Sequence, residues 1–420
     1  MPVQIKIART AKELDDVYNL RYRVYVEERG KFESAPSHNP RIVDHFDAVP
    51  GAVNVIAYSE GEPIASIRVN EDSDIGLPAE HYFNFKDVRS KLEQQFEAGN
   101  STDGKQPKLM SGSMLAVHKD WRNRRNVIFS LFKCAAGIMY SRDATHVICS
   151  ISEETLSMYG RLGFETIAER EWKPEVNDYM LPIMAPFEKA FAWTFGEIQK
   201  TVNHFWLDNF CGKFERILLS PGEVLFEQND HATHTFAIDE GWIAISREDP
   251  NGNEMVLANL SRGALFGELA VFDGERRSAK ASALVNTELI AIERSHMFEM
   301  LKQNPDHLEQ LLTHFAKRVR DTDNLAMVQA FSPQSGRVEF ALNELWKSAT
   351  PSRKNVHHRS IKVGPRQIAR TARVREDEVR RLLEVKKSEH VLDYGEAVIK
   401  FFQAPNVDEV PIRAAKESPI

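Results

Sequence analysis

Cysteine is scarce in this chain of 420 residues, which contains three: Cys134, Cys149 and Cys211. No two of them have the spacing of a metal site or a redox motif, and each stands among apolar neighbours. We therefore predict reduced, buried thiols, no disulfide framework and no metal site.

Long apolar runs are also missing. The most apolar stretch, residues 127–140, contains Lys133 and is shorter than the roughly 18 residues that indicate a membrane span. The first ten residues lack the apolar core of a secretory signal. We therefore expect a cytoplasmic protein that does not contact a membrane.

Basic residues are fewer than acidic residues over the whole chain but outnumber them in one segment. The net charge is −7, yet between Arg353 and Lys387 twelve Lys and Arg stand against four Asp and Glu. That segment has a local charge of +8, which leaves −15 for the rest of the chain. Such asymmetry indicates that one part faces a polyanion, although a solvated basic surface has the same composition.

The length predicts two to four domains at roughly 150 residues each. Residues 1–195 have a mixed α/β pattern, in which helices and strands alternate. Its predicted helices are 11–25, 126–142 and an aromatic segment within 186–210, and its predicted strands are 53–58, 64–69, 115–117 and 146–150. A polar loop is expected at 100–106.

The pattern changes after residue 214, where short β-type runs recur every 8–12 residues. That spacing is typical of an all-β sandwich or barrel. The predicted strands are 216–219, 224–226, 235–238, 242–247, 254–260, 280–284 and 288–293.

A long helix is predicted from about residue 306, within a second domain of residues 196–330. Residues seven apart along it form an a/d seam over nearly three heptads. The two rows are Leu308, Phe315 and Thr322, and Leu312, Val319 and Ala326. The seam predicts a homodimer, although a helix packed on its own barrel would show the same pattern.

Residues 331–403 are predicted to form a third domain, followed by a polar, disordered tail at 404–420. Helices are expected at 338–347, 365–370 and 376–387, and a hairpin at 391–394 and 397–402. Helix, turn, helix and hairpin together describe a winged helix-turn-helix.

The most informative segment is 266–279. Gly267 allows close approach of the backbone to a phosphate, and a short helical turn at Glu268–Val271, which includes Leu269, would direct N–H groups at it. Arg277 supplies planar donors for the phosphate, and Glu268 can accept from a ribose 2′-OH. Ser278 follows the arginine.

This segment resembles the phosphate-binding cassette of cyclic-nucleotide-binding domains. Residues 214–323 resemble the effector domain of the catabolite activator proteins of the Crp/Fnr superfamily. The resemblance implies that cAMP is bound, with Thr322 contacting adenine across the dimer and Ser278 matching the cAMP-type pattern. Asp323 replaces the family's Ser, so cGMP stays a less favoured alternative to cAMP. A barrel that keeps the fold but binds no nucleotide is a further alternative.

Residues 361–402 resemble the winged helix-turn-helix of the same superfamily. The resemblance implies binding to double-stranded DNA, contact with RNA polymerase and a recognition helix at 375–387. The residues expected at the DNA are Arg366, Gln367, Arg375, Glu376, Asp377, Arg380 and Arg381, with Arg359, Lys362, Arg370 and Arg373 at phosphates. The helix begins Arg-Glu-Asp in place of Ser-Arg-Glu, and Arg373 stands where the turn usually has Gly. A domain retained for protein contacts is the alternative.

Two segments of the first domain resemble GNAT-type acyltransferases: residues 114–127 with the helix that follows, and Tyr159-Gly-Arg-Leu-Gly-Phe164. The resemblance implies an acyl-CoA or acyl-carrier-protein site. Its residues would be Val117, Arg122, Arg124 and Arg125. The turn lacks both small residues of the family motif.

A closer likeness is to the acyl-homoserine-lactone synthases and the related N-acyl amino acid synthases. Arg21-x-x-Val24-Tyr25, Asp44-His-Phe-Asp47 and Arg68 carry it. It implies that Arg21, Asp44, Asp47 and Arg68 bind an amino-acid-like acyl acceptor. The family's Glu-x-x-Arg is Ser111-x-x-Met114 here.

Simpler interpretations of these residues stay open. Asp44 and Asp47 could be solvated, and Arg21 could pair with Glu27 or Glu28. The domain could be an active acyltransferase, or a ligand-sensing or scaffold domain.

The sequence thus predicts a multidomain α+β protein: a GNAT-like mixed α/β domain, a cyclic-nucleotide-binding β-barrel (jelly roll) with a dimerisation helix, and a winged helix-turn-helix. The favoured function is a cAMP-responsive, DNA-binding transcription regulator with an acyltransferase-like domain. The alternative is a cyclic-nucleotide-gated N-acyltransferase that makes an acyl-amino-acid signal or acylates a protein.

Overall fold

A computed structural model describes residues 2–32, 38–97, 106–192, 215–248, 254–303, 305–351 and 358–405. Cys211, nearly all of the predicted loop at 100–106, most of the aromatic segment at 186–210 and the tail after residue 405 lie outside these ranges. The chain divides into two compact units, Met1–Leu218 and Leu219–Ile420.

The first unit alternates helices with strands, as its sequence pattern predicts. The helices are α1 (Ala11–Tyr22), α2 (Lys86–Gln95), α3 (Arg125–Tyr140), α4 (Leu156–Arg161) and α5 (Phe187–Ala190). The strands are β1 (Val3–Ile7), β2 (Val53–Ser59), β3 (Glu62–Glu71), β4 (Leu109–Val117), β5 (His146–Ser152), β6 (Glu165–Thr166), β7 (Glu171–Lys173) and β8 (Asp178–Pro186).

Helix α1 begins at a capping box. The Thr10 hydroxyl accepts from the Glu13 N–H at 3.2 Å, and the Glu13 carboxylate accepts from the Thr10 N–H at 2.9 Å. The helix predicted at 11–25 ends as an α-helix at Tyr22. The chain then continues in one wider π-turn, Arg23–Glu27.

The sheet of this unit has the order β1-β2-β3-β4-β5-β8-β6, with β7 paired to β8. All neighbours are antiparallel except β4 and β5, which are parallel. The apolar helix α3 packs against the sheet, and Leu131 and Ala136 on it are completely buried.

From residue 215 onward the short strands predicted by their spacing are present. They are β9 (Glu215–Leu219), β10 (Val224–Phe226), β11 (His234–Glu240), β12 (Trp242–Glu248), β13 (Glu254–Ser261), β14 (Leu265–Phe266), β15 (Lys280–Ala283) and β16 (Thr287–Glu293). Strands β14, β11 and β16 pair in one sheet, and β10, β15, β12 and β13 form a second.

The remaining elements follow in chain order. The helices are α6 (Leu269–Asp273), α7 (Arg294–Gln303), α8 (Pro305–Phe331), α9 (Gln334–Ser348), α10 (Pro365–Ala372) and α11 (Glu376–Ser388). The strands are β17 (Thr350–Pro351), β18 (Arg359–Ile361), β19 (Leu392–Tyr394) and β20 (Ile399–Phe401).

The C-terminal elements share one apolar core. Leu342 of α9, Val379 and Leu383 of α11, and Phe401 of β20 are buried in it. Arg373 ends α10 in the left-handed region, at φ 52°. Arg373 therefore adopts the backbone conformation that usually favours glycine at this position of the turn.

Two smaller observations bear on the sequence predictions. Cys134 and Cys149 are buried, and neither forms a disulfide within the described residues. In the part of the chain that the structure describes, no helix is long and apolar enough to cross a membrane.

Candidate functional site

Strands β4 and β5 pair only at Leu109 with His146 and Met110 with Val147. Farther along β4, Met114 has a positive φ of 52°, and the register against β3 shifts at Ile67. Such a bulge bends a strand away from its neighbour. A cavity of about 610 Å³ lies in the first unit, lined by residues of both strands.

The four charged residues predicted for the acyl acceptor meet in one buried cluster beside this cavity. Asp47 accepts two hydrogen bonds from Arg21 at 3.0 Å and lies 2.9 Å from Arg68. Arg68 also binds both carboxylate oxygens of Asp44. Arg21 donates to Asn54 as well.

Two simpler interpretations, solvated aspartates and a pair of Arg21 with Glu27 or Glu28, are wrong. The Asp47 side chain is 2% exposed and Asp44 is bonded to Arg68, so neither is merely solvated. Arg21 pairs with Asp47 rather than with Glu27 or Glu28.

Burial sets the ionisation of this cluster. Burial by itself raises the pKa of Asp47, but the guanidinium groups of Arg21 and Arg68 outweigh it. The pKa of Asp47 therefore lies below its ordinary value, and the carboxylate stays charged at neutral pH.

The residues predicted for the acyl donor do not form one cluster, unlike those predicted for the acyl acceptor. Val117 and Arg122 line the cavity, and Arg122 binds the Val117 carbonyl at 3.1 Å and the Glu28 carboxylate. Arg124 stacks on Trp121 at 4.3 Å, and Arg125 begins α3 with an exposed side chain.

Sequence reasoning missed several polar residues of the cavity. Lys31, His45, His81, Tyr82 and Glu175 line it, although they come from separate turns and loops. His45 stood inside the quoted motif, but no spacing pattern marks the others.

The second site surrounds Gly267, between β14 and α6. Gly267 has φ +70°, and a Cβ placed there would lie 2.8 Å from Nη1 of Arg277. Arg277 donates to the carbonyls of Gly267 and His234, the latter at 2.6 Å. It also lies 4.2 Å from the ring centroid of Phe226.

The burial of Arg277 lowers its pKa to about 10, so the guanidinium remains charged at neutral pH. The side chain is thus a fixed cation that already faces the backbone of the glycine turn. That arrangement fits the predicted phosphate donor.

Glu268 is completely buried. One of its carboxylate oxygens accepts from Arg318 of α8, and the other, Oε2, has no hydrogen-bond partner among the described residues. Burial raises its pKa, although Arg318 and Arg277 act in the opposite direction. Sequence reasoning missed Arg318, which lies one helical turn before Thr322.

The other residues predicted for the nucleotide, Leu269, Ser278 and Thr322, are exposed. Leu269 is the first residue of α6, and Ser278 follows Arg277. Thr322 donates to the Arg318 carbonyl at 2.8 Å, so its hydroxyl is satisfied within its own helix.

The residues predicted at the DNA are largely paired with carboxylates. Arg380 binds Glu376 and Glu396, and Arg381 binds Glu378 at 2.6 Å. Arg375 binds Asp377, and Arg366 lies 3.6 Å from Glu376. Gln367 accepts a hydrogen bond from the Gly364 N–H.

Two comparisons by sequence bear on these sites. Residues 16–186 match the family model of the N-acyl amino acid synthase FeeM, and residues 216–304 match that of the cyclic nucleotide-binding domain. The cyclic AMP receptor protein of Thermus thermophilus is 27% identical over 197 residues, which are 47% of this chain and 88% of that protein.

Two further proteins are similar over part of the chain. The CRP-like cAMP-activated global transcriptional regulator of Mycobacterium tuberculosis is 28% identical over 124 residues, 30% of this chain and 55% of that regulator. Among solved structures, the c-di-GMP responsive global regulator CLP of Xanthomonas campestris aligns over 47% of this chain and 99% of its own, at 20% identity and a TM-score of 0.39.

The chain therefore joins an N-acyl amino acid synthase-type domain to a cyclic nucleotide-binding domain. The relatives of the second part are Crp/Fnr-type regulators, so the resemblance stated from the sequence is confirmed for both parts.

Proposed function

We propose that this protein is a cAMP-responsive, DNA-binding transcription regulator that carries an N-terminal acyltransferase-like domain of GNAT-like fold. The observation that carries the proposal is the arrangement of Gly267, Glu268 and Arg277. A close-approach glycine, a buried carboxylate with a free oxygen and a fixed guanidinium stand together.

A cyclic nucleotide has one group for each of these residues. Its phosphate would bind Arg277 and the backbone at Gly267, and its ribose 2′-OH would donate to Glu268. Arg318 now holds that carboxylate, so ligand binding would act on α8 directly. The names of the bacterial relatives favour cAMP over cGMP.

DNA binding is proposed for α10, α11 and the hairpin of β19 and β20, as a winged helix-turn-helix. The surface is basic, but its arginines are paired with carboxylates at the start of α11. Phosphates and bases would have to replace those partners. We therefore propose an operator different from that of the catabolite activators, and contact with RNA polymerase stays a prediction.

A homodimer is proposed because α8 carries an exposed apolar stripe. Its members are Leu308, Leu312, Val319, Met327 and Phe331, of which Val319 is 61% exposed. Burying such side chains against a second copy of α8 would remove them from water.

Val319→Glu is expected to convert the dimer to a monomer, because a carboxylate would be buried in the seam. Light scattering during size-exclusion chromatography measures the mass. Arg320→Gln changes the charge by the same amount at an adjacent exposed position and should leave the dimer intact. A monomeric wild-type protein, or a dimeric Val319→Glu variant, would contradict the proposal.

Selection from random duplex DNA tests the regulator function. The full chain is incubated with the library at fixed moderate salt, with and without cAMP, because salt alone changes such affinities strongly. We expect enrichment of one sequence that depends on cAMP. No cAMP-dependent enrichment would contradict the proposal.

A second function is favoured by the cluster of Arg21, Asp44, Asp47 and Arg68 beside the cavity. It is N-acyl transfer from acyl-CoA or acyl-carrier protein to an amino acid or protein amine, gated by the nucleotide. Mass spectrometry after incubation with each donor and the twenty amino acids tests it. A folded domain that yields no acylated product would contradict this function.

A further inference from the structure

Two histidines lie at the cavity of the first unit, outside the charged cluster. His45 begins the 3-10 turn His45–Asp47, and His81 ends the turn Pro78–His81. Both side chains are exposed and line the cavity, and their ring centroids are 6.1 Å apart.

N-acyl transfer needs a proton acceptor, because an amino group enters water at neutral pH as an ammonium ion. The nitrogen must lose one proton before it can attack a thioester carbonyl. Strand β4 brings no such group to the cavity, since the residues it contributes are Gly112, Ser113, Met114, Leu115 and Val117.

The two aspartates of the cluster are poor proton acceptors. Asp44 is held by both nitrogens of Arg68 and also accepts from the Phe46 N–H at 2.9 Å. Asp47 lies between two guanidinium groups, and its pKa is lowered. Both carboxylates are therefore held by arginines, and of the two only Asp44 lines the cavity.

The phenols and the amine of the cavity are also unsuited. Burial raises the pKa of Tyr25 and of Tyr82 to about 12 and also raises the pKa of Tyr159. The Tyr25 hydroxyl donates to the Leu115 carbonyl at 3.0 Å. Lys31 is paired with Asp178. Glu175 is exposed to solvent.

We propose that His45 is the proton acceptor of the acyltransferase site. It directly follows Asp44 in the chain, and its ring packs on Phe46 at 4.1 Å between centroids. Phe46 is buried, so one face of the imidazole has a fixed support. The proposal rests on the acyltransferase function proposed above.

The step balances as follows for an acyl thioester and an amino acid. The ammonium nitrogen gives one proton to the His45 ring and attacks the thioester carbonyl, which forms the C–N bond. The C–S bond then breaks, and the second nitrogen proton goes to the leaving thiolate. The products are an amide, a thiol and an imidazolium that returns its proton to water.

Titratable groups from three segments line the cavity together with His45. Asp44 stands on its own turn, Arg68 comes from β3, and His81 and Tyr82 come from the turn after β3. Arg68 and Asp44 form an ion pair with each other, so neither contributes an unpaired charge to the cavity. Glu175 lines the same cavity.

The test uses the full chain with lauroyl-CoA, acyl-carrier protein loaded with the same chain, and each of the twenty amino acids. For the pair that gives product, kcat/KM is measured against pH. Wild-type kcat/KM should rise with pH to a plateau. His45→Gln should lose roughly a hundredfold or more and most of the pH dependence. His45→Ala should recover activity when imidazole is added, which a purely structural residue would not allow.

The control is His38→Gln, because His38 is exposed and is not among the residues that line the cavity, so this variant should keep both rate and pH profile. His81→Gln is measured in parallel as the competing histidine of the cavity. An unchanged His45→Gln profile, or loss of the acidic limb in His81→Gln instead, would overturn the role of His45 while leaving the acyltransferase function in place. No product from the wild-type protein would contradict the acyltransferase function itself, and the proton acceptor with it.

Discussion

Asp47→Asn is expected to destabilise the first unit by about 3–5 kcal/mol, because the change leaves the buried guanidinium groups of Arg21 and Arg68 short of one negative charge. Hydrogen exchange measured by mass spectrometry can localise the effect. Peptides of α1 and β3 should exchange at least roughly a hundredfold faster, since about 1.4 kcal/mol corresponds to a factor of ten.

The same variant has a defined pH dependence. The folded-state pKa of Asp47 is lowered, so its stabilisation is present above the ordinary aspartate pKa of about 3.9 and is lost as the pH falls through the folded value. The difference in stability between wild type and Asp47→Asn should therefore be constant near neutral pH and shrink below about pH 4.

Asp143→Asn is the matched control. The Asp143 side chain is 80% exposed and lies 3.6 Å from Lys108, so its removal should cost less than about 1 kcal/mol. Equal effects of the two substitutions, or a tolerant Asp47→Asn, would show that the buried cluster does not stabilise the fold as proposed.

Gly364→Ala is expected to abolish DNA binding while cAMP binding persists. A Cβ at Gly364 would lie 1.9 Å from the carbonyl oxygen of Glu396, which is backbone and cannot rotate away. The hairpin of β19 and β20 would have to move, and its ion pair with Arg380 would be lost. We expect a destabilisation of about 3 kcal/mol or more.

Hydrogen exchange of α10, β18 and β20, together with DNA retention in the presence of cAMP, measures this effect. Gly395→Ala is the control within the same hairpin, because the nearest atom to its added Cβ is a Val398 methyl at 3.8 Å. Normal DNA binding by Gly364→Ala would contradict the proposed interface.

Local patterns in the sequence predicted much of the fold. The apolar rows of α1 and α8 and the regular spacing of the short strands depend on neighbouring residues, so they could be recognised from the chain alone. The motif at Gly267 likewise depends on a short segment, and the residues predicted there for the nucleotide phosphate, Gly267 and Arg277, are in contact in the structure.

Features that depend on distant residues could not be predicted in this way. Arg318 and Glu268 are 50 positions apart, and Arg380 and Glu396 lie in different elements. Strand β4 separates from β5 near Met114, whose backbone is left-handed. Methionine rarely adopts that conformation, so the sequence does not indicate it. Tertiary packing therefore decides which side chains pair with the candidate site residues when no ligand is bound.

Calorimetric titration of the full chain with cAMP tests the central claim most directly. We predict binding with a micromolar Kd by the wild type and by Arg276→Leu, whose arginine is exposed and binds only the Asn229 carbonyl among the described residues. Arg277→Leu, checked for folding by circular dichroism, should bind about a hundredfold more weakly or not at all. A wild-type protein that binds neither cAMP nor cGMP, or an Arg277→Leu variant that binds normally, would contradict the account.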